Sequence, residues 1–183
     1  MSKIIAFFGS PRAKGNSTKL MAQVIAGAES DGAEIVAYNL SEEGVKGCQA
    51  CNYCRTNEGC ATKDKLQSMY QEIKKADGIV VGFPIYFMGI GGQSKQWIDR
   101  LSPMVGDNFS PRYPGKKIVT VYSQANPDKD LLKNAIEAND EIFKIFGWDL
   151  VESLLSYGGA NPQYIIPQEL MDRAFNAGKQ LVE

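Results

Sequence analysis

The hydrophobic pattern of the chain alternates between short apolar runs and longer amphipathic segments. The first run, residues 4–8, is unbroken, as in a parallel strand covered on both faces. Leu20, Val24 and Ala28 follow at helical spacing, and Gly32 lies where this predicted helix ends. The opening segment therefore predicts a buried strand, a loop and a helix.

The same alternation continues to the end of the chain. Further strands are predicted at residues 34–40, 78–83, 117–123 and 148–157, and further helices near 66–73, 97–101, 129–146 and 168–182. Strands that alternate with helices favour a parallel sheet with helices on both faces, which is the α/β doubly wound class. We expect five strands in the order 2-1-3-4-5 and a single domain over residues 1–183.

The loop after the first strand has the character of an anion site. The first N–H groups of a helix lack intrahelical partners and lie at the positive end of its dipole, and Gly15 lets the backbone curl close to a ligand. The loop has neither the lysine of an ATP-binding loop nor a G-x-G-x-x-G fingerprint, so a phosphate monoester is the predicted ligand. An ordinary capped helix is the alternative. The candidate phosphate-binding residues are Ser10, Arg12, Asn16, Ser17 and Thr18.

The loop after the third strand places apolar side chains where polar ones are usual. Ligands of open α/β sheets bind beyond the carboxyl ends of the strands at the switch point, which here lies between these two loops. An apolar loop at that point could hold a flat ring, although it could also cover the core or a subunit contact. The phosphate loop and the apolar loop together predict FMN. The candidate ring-binding residues are Pro84, Ile85, Tyr86, Phe87 and Met88.

These motifs resemble the NAD(P)H-dependent FMN reductase branch of the flavodoxin-like proteins, and the resemblance extends over nearly the whole chain. It implies a flavodoxin-like fold, with the FMN phosphate and ring held by the two residue sets above. It also implies ring contacts from the loop at 123–126, which is less glycine-rich than in many relatives. We expect Lys95, Asp99 and Arg100 to cap the third helix and to form ion pairs along it. The motifs are Gly9-Ser10-Pro11-Arg12, Gly15-Asn16-Ser17 and Pro84-Ile85-Tyr86-Phe87, with Lys95, Asp99 and Arg100 downstream.

All four cysteines lie in one loop at about residues 47–62, separated by two, two and five residues. Four thiolates can hold an iron–sulfur cluster or a tetrahedral zinc, and the repeated two-residue gap favours the compact ferredoxin-type arrangement. Combined with the FMN loops, this pattern is similar to the iron-sulfur flavoproteins and implies a 4Fe-4S cluster beside FMN. Zinc and redox-active thiols are the alternatives. The candidate ligands are Cys48, Cys51, Cys54 and Cys60.

Composition narrows the classes of function. The 183 residues carry a formal net charge of -1, which gives no electrostatic footprint for nucleic acid or an anionic membrane. No apolar run is long enough to span a membrane and no signal-peptide pattern precedes the first strand, so we expect a cytoplasmic protein. The chain has no histidine, which points to a bound cofactor as the source of its chemistry.

The expected activity is transfer of hydride from NAD(P)H to the flavin and of electrons onward to a flavin, quinone or other acceptor. No side chain is predicted as a catalytic acid or base, and Tyr86 is the residue expected to contact the substrate. Two other hypotheses are an electron carrier without nicotinamide activity and a thiol or metal redox sensor. The apolar strip and the loop at 109–114 predict a homodimer or a tetramer.

Overall fold

A computed structural model describes all residues from 1 to 183, and its strands and helices alternate along the chain. The strands are β1 (Lys3–Phe8), β2 (Glu34–Asn39), β3 (Gly78–Tyr86), β4 (Gly89–Ile90), β5 (Lys117–Ser123) and β6 (Asp149–Ser156). The helices are α1 (Asn16–Ser30), α2 (Tyr53–Thr56), α3 (Gln67–Lys75), α4 (Gly92–Asp99), α5 (Lys133–Ile145) and α6 (Gln168–Gln180), with a 3₁₀ turn at Ser102–Met104.

Five of the strands form a parallel sheet in the order β2-β1-β3-β5-β6. This confirms the predicted flavodoxin-like topology, with β4 added as a two-residue strand antiparallel to the end of β3. In register, Phe8 pairs with Gly82 and Pro84 pairs with Ser123. The loops that follow β1, β3 and β5 therefore leave the sheet along the same edge.

Helices cover both faces of the sheet and bury two apolar clusters. On one face Phe7 and Phe83 pack against Trp97 of α4 and Phe143 of α5. On the other face α1 and α6 lie side by side over Val80 and its neighbours. The central strands are thus buried on both sides, which is why they appear in the sequence as unbroken apolar runs.

The structure departs from the sequence prediction in several elements. Strand β3 continues to Tyr86, so Pro84, Ile85 and Tyr86 belong to a strand and not to the loop expected there. Helix α5 begins at Lys133 and not at 129. The side chains of Asn126 and Asp128 accept hydrogen bonds from the backbone N–H groups of Asp128 and Asp130, and these bonds hold the segment before the helix in turns. The short helix α2 and the strand β4 were not predicted.

No helix of the described chain has the length and apolar character needed to cross a membrane.

Candidate functional site

The loop between β1 and α1 is folded around one carbonyl group. The Gly15 N–H and the Thr18 Oγ1 both donate to the Arg12 carbonyl oxygen, at 3.0 Å each, and the Arg12 N–H donates to Ser10 Oγ at 3.2 Å. The first α-helical bond is donated by Lys19 to the Gly15 carbonyl, and no side chain caps the helix. Three N–H groups therefore precede the first bond of α1 and are available to an anion.

A cavity of about 210 Å³ opens at this helix start, at the carboxyl ends of β1, β3 and β5. Seven of the ten predicted FMN-binding residues line it. Those residues are Ser10, Arg12, Asn16, Ser17, Pro84, Ile85 and Tyr86. The phosphate loop and the apolar loop thus border one cavity, as the prediction of a shared ligand requires.

The three other predicted residues lie outside this cavity. Thr18 turns away toward a neighbouring cavity of about 280 Å³ that also contacts Asn39. Phe87 and Met88 form the tip of the β3–β4 hairpin and are exposed. Both tip residues have positive φ, at 45° and 70°, which is the conformation of a two-residue hairpin turn and is costly for residues other than glycine.

The rest of the cavity wall consists of Gly15, of Ser123, Gln124 and Ala125 from the loop that was expected to contact the ring, and of Gly159, which was not predicted. Gln124 is 4% exposed, and its side-chain nitrogen donates to the carbonyl oxygens of Asn126 and Asp128. Its Oε1 is buried without a partner in a residue that lines the cavity. Gly159 lies against Asn16, where a Cβ would come within 2.8 Å of the amide nitrogen. The glycine in that strand-to-helix connection is the only sequence signal that could have indicated it.

These observations test whether the residues fit FMN. Free helix N–H groups and buried hydroxyls match a phosphate, and the unpartnered Gln124 Oε1 can accept from a hydroxyl such as those of a ribityl chain. Pro84, Ile85 and Tyr86 supply an apolar side. The donors and acceptors of the cavity fit the cofactor.

The four cysteines line a second cavity, of about 190 Å³, between the loop that carries them and the carboxyl end of α4. Cys48 and Cys51 are exposed, Cys54 and Cys60 are half-buried, and none forms a disulfide. No three cysteine or acidic side chains converge closely enough to hold a metal ion in this arrangement. The loop therefore gathers the predicted ligands around one cavity without forming a complete metal site.

The backbone of the cysteine loop is bent toward its sulfurs. Ala50 and Asn52 have left-handed φ values of 50° and 58°, and the Ala50 N–H donates to Cys48 Sγ at 3.4 Å. Hydrogen bonds from backbone N–H groups to sulfur are among the contacts that tune iron–sulfur clusters. Four thiols on one cavity and an N–H aimed at a sulfur fit the donor set of such a cluster.

The surroundings of the two half-buried thiols shift their pKa values in opposite directions. Burial raises the pKa of Cys54 above its usual value. Burial also acts to raise the pKa of Cys60, but hydrogen bonds from Thr62 and Tyr70 and the positive charge of Arg100 together lower it below its usual value. Cys60 is thus the thiol whose anionic form the surroundings stabilise.

The charged residues of α4 divide between surface and interior. Lys95 and Asp99 form an exposed pair at 2.5 Å, as expected. Arg100 was expected to cap and pair the helix, but its side chain is 0% exposed and pairs with Asp64 next to the cysteine loop. A charged residue at the end of an amphipathic helix gives no sequence signal of burial, since its partner lies in a distant loop.

Comparison with protein families and with known proteins gives three results. A family model described as NADPH-dependent FMN reductase matches residues 2–137. An iron-sulfur flavoprotein of Methanocaldococcus jannaschii is 33% identical over 102 residues, which are 56% of this chain and 53% of that protein. An iron-sulfur flavoprotein of Archaeoglobus fulgidus is 26% identical over 181 residues, which are 98% of this chain and 76% of that protein.

Similarity to solved structures agrees with the topology. The NAD(P)H:quinone oxidoreductase from Methanothermobacter marburgensis superposes with a TM-score of 0.75 at 17% identity, over 98% of each chain. At this identity the similarity shows the fold. The chain spans about half the length of the Methanocaldococcus relative it matches.

Proposed function

The chain belongs to the NADPH-dependent FMN reductase family, and from this premise we propose that it takes hydride from NAD(P)H through bound FMN and passes electrons to a flavin, quinone or other acceptor. The observation that carries the proposal is the cavity that joins the uncapped start of α1 to the apolar end of β3. A phosphate site beside an apolar wall matches the two ends of FMN. We take residues 1–183 as one FMN-binding domain.

Each part of the cavity has a role in this proposal. The N–H groups at the start of α1, with Ser10, Arg12 and Ser17, bind the phosphate. Gln124 Oε1 would accept a hydrogen bond from a hydroxyl of the ribityl chain, and Pro84, Ile85 and Tyr86 would orient the ring. FMN, when bound, supplies hydride acceptance from a nicotinamide and release of electrons singly or in pairs.

The protein then has to admit a second flat molecule and exclude water. Tyr86 is half-exposed at the mouth of the cavity, so it is the side chain we assign to contact with the nicotinamide or the acceptor. Phe87 and Met88 extend beyond it at the hairpin tip, where they can cover a bound ligand or contact a second subunit. No histidine is present, and none is required because binding and orientation are the tasks left to the chain.

For the cysteine cavity we propose a 4Fe-4S cluster bound by Cys48, Cys51, Cys54 and Cys60. The shared cavity, the N–H donated to Cys48 and the names of the two relatives support this assignment. Such a group supplies one-electron acceptance and release. Zinc and ligand-free redox thiols are the competing assignments, and iron analysis distinguishes them from a cluster.

Turnover tests the proposed activity. Protein loaded with FMN should oxidise NADH or NADPH in the presence of a quinone or free flavin, and the rate should fall when the start of α1 is altered. Almost no turnover with either nucleotide would contradict the proposal and favour an electron carrier. A redox response that survives replacement of Cys48 and Cys51 by alanine would exclude the thiol-sensor hypothesis.

Assembly and location stay predictions. We propose a homodimer or tetramer, because the hairpin tip exposes apolar side chains that a second subunit would cover. Cytoplasmic location is the expectation from the sequence. Nothing in the charge of the chain favours nucleic acid as a partner.

A further inference from the structure

Arg100 is a buried cation for which the proposed reaction has no use. Its Nη1 and Nη2 donate to the two carboxylate oxygens of Asp64 at 2.6 and 3.0 Å, and both side chains are 0% exposed. Its Nε donates to the Tyr70 hydroxyl at 3.1 Å. A buried ion pair persists only when its geometry and its remaining hydrogen bonds are well satisfied. All three nitrogens of the buried Arg100 guanidinium therefore have hydrogen-bond partners.

The other contacts of this pair reach both ends of the cysteine loop. Arg100 Nη1 donates to the Lys46 carbonyl oxygen at 2.7 Å, and Nη2 donates to that of Thr62 at 3.4 Å. The Lys46 N–H in turn donates to Asp64 at 2.9 Å. Lys46 precedes the first cysteine and Thr62 follows the last. The pair thus fastens the two ends of the loop to each other without any contribution from a metal.

A second arginine fastens the middle of the loop. Arg112 donates to the carbonyl oxygens of Cys54 and Asn57, at 2.8 Å each. Arg112 does not border the cysteine cavity, whereas Arg100 does. The two arginines therefore differ in one respect that an experiment can use, because Arg100 belongs to the wall of the cavity and Arg112 does not.

The two members of the ion pair are placed differently with respect to the cysteine cavity. Arg100 lies in the cavity wall and Asp64 lies behind it, outside the wall. The cationic member of the pair is therefore the one that belongs to the cavity wall, where Arg55 and Asp99 also lie. In a low-dielectric setting this charge stabilises thiolates and any more negative form of a group that they bind.

We propose that Arg100 is the positioning residue of the cysteine cavity: it ties the loop ends together before any metal binds, and its charge raises the reduction potential of an iron–sulfur group held there. The first part stands on the metal-free chain alone. The second part rests on the cluster assignment of the proposed function. The two parts are tested on different samples.

The first test measures amide hydrogen exchange of the metal-free protein by mass spectrometry. Arg100→Lys keeps the charge but loses the forked contacts, and the double variant Asp64→Asn/Arg100→Gln removes both charges without leaving an unpaired buried carboxylate. In both, exchange over residues 46–62 should accelerate about tenfold or more, while exchange in β1 and β3 stays unchanged.

The matched control Arg112→Lys should accelerate exchange only in the segment near residues 54–57. Unchanged exchange at the loop ends would overturn the positioning role.

The second test measures the reduction potential of iron-loaded protein by a redox titration followed by electron paramagnetic resonance. Arg100→Lys and Arg112→Lys should stay near the wild-type potential, and Asp64→Asn/Arg100→Gln should shift to a more negative potential. An unchanged potential in the double variant would overturn the electrostatic role. Failure of the wild type to bind iron would remove the cluster assignment and this role together, while the exchange result still decides the positioning role.

Discussion

Ser17 lies in the first turn of α1, where its side chain is buried against the cavity that we assign to the FMN phosphate. Ser17→Ala should weaken FMN binding by about tenfold to a hundredfold, because a hydrogen bond to a charged group is worth about 1.5–3 kcal/mol. Quenching of flavin fluorescence during titration of the metal-free protein measures the effect. Ser30→Ala is the control, since Ser30 lies at the other end of the same helix. Equal affinities for the two variants would place the phosphate elsewhere.

Asp140 is a buried carboxyl on α5 that accepts a hydrogen bond from the Tyr122 hydroxyl at 2.7 Å. Burial raises its pKa above the ordinary value of 3.8, and the Tyr122 bond opposes the increase only in part. Between the unfolded pKa and the raised folded pKa, the folded state holds the proton more tightly than the unfolded state does. Stability from this group therefore decreases as pH rises through that window.

Asp140→Asn should remove this pH dependence. As pH rises, the free energy of unfolding of the wild type should fall relative to that of the variant by about 1.4 kcal/mol for each unit by which the pKa is raised. The fall should be complete above the folded pKa. Urea unfolding of both proteins from pH 3.5 to pH 8 measures the difference, with the urea midpoint as readout. A difference that is constant across this range would contradict the assignment of a raised pKa.

At the scale of elements, α1 and α6 approach so closely that two glycines lie at their contact. A Cβ at Gly27 would overlap the carbonyl oxygen of Phe175, and a Cβ at Gly178 would overlap that of Val24. Gly178→Ala should therefore lower the free energy of unfolding by about 1–3 kcal/mol, since the helices would have to separate. Gly92→Ala is the control, because a Cβ there meets nothing within 4 Å. Thermal unfolding compares them, and equal melting temperatures would contradict the close approach.

The strands and most helices were predictable from the sequence because their signals are local. An unbroken apolar run such as β1 is the signature of a strand buried on both faces, and the order of elements then restricts the topology. The start of α5 and the β3–β4 hairpin were missed for a physical reason. The first depends on side-chain bonds from Asn126 and Asp128, and the second has Phe87 and Met88 at positions where turn-forming residues are expected.

The site was predictable only where its residues are close in sequence. Ser10, Ser17 and Pro84 belong to segments whose composition signals a ligand, and they line one cavity. Arg100 instead depends on Asp64, which lies 36 residues away, and no local pattern identifies that partner. Long-range polar contacts are therefore the part of the site that needed coordinates.

At the scale of the whole molecule, the hairpin tip is the apolar surface that a single chain leaves uncovered. Phe87 is fully exposed and Met88 largely so, although both directly follow Tyr86, which lines the cavity proposed for the flavin. We expect the native protein to have a mass of at least twice 20.1 kDa, and Phe87→Ser/Met88→Ser to shift it toward the monomer. Light scattering at micromolar concentration measures both. A native monomer would contradict the predicted assembly.

Helix α4 lies close to both cavities. Its carboxyl end supplies Asp99 and Arg100 to the cysteine cavity, and Gly91, just before its start, lies against the ring of Tyr86 in the wall of the flavin cavity. The eight helical residues between these contacts extend about 12 Å. We thus assign two redox groups to one chain.

The measurement that tests this most directly is quantification of FMN and iron on the same sample after purification without oxygen. We expect about one FMN and about four iron atoms per chain, which is the composition of FMN with one 4Fe-4S cluster. Flavin without iron would contradict the cluster assignment and leave an FMN oxidoreductase with a cysteine loop. A protein that retains no flavin and binds none on addition would contradict the account as a whole.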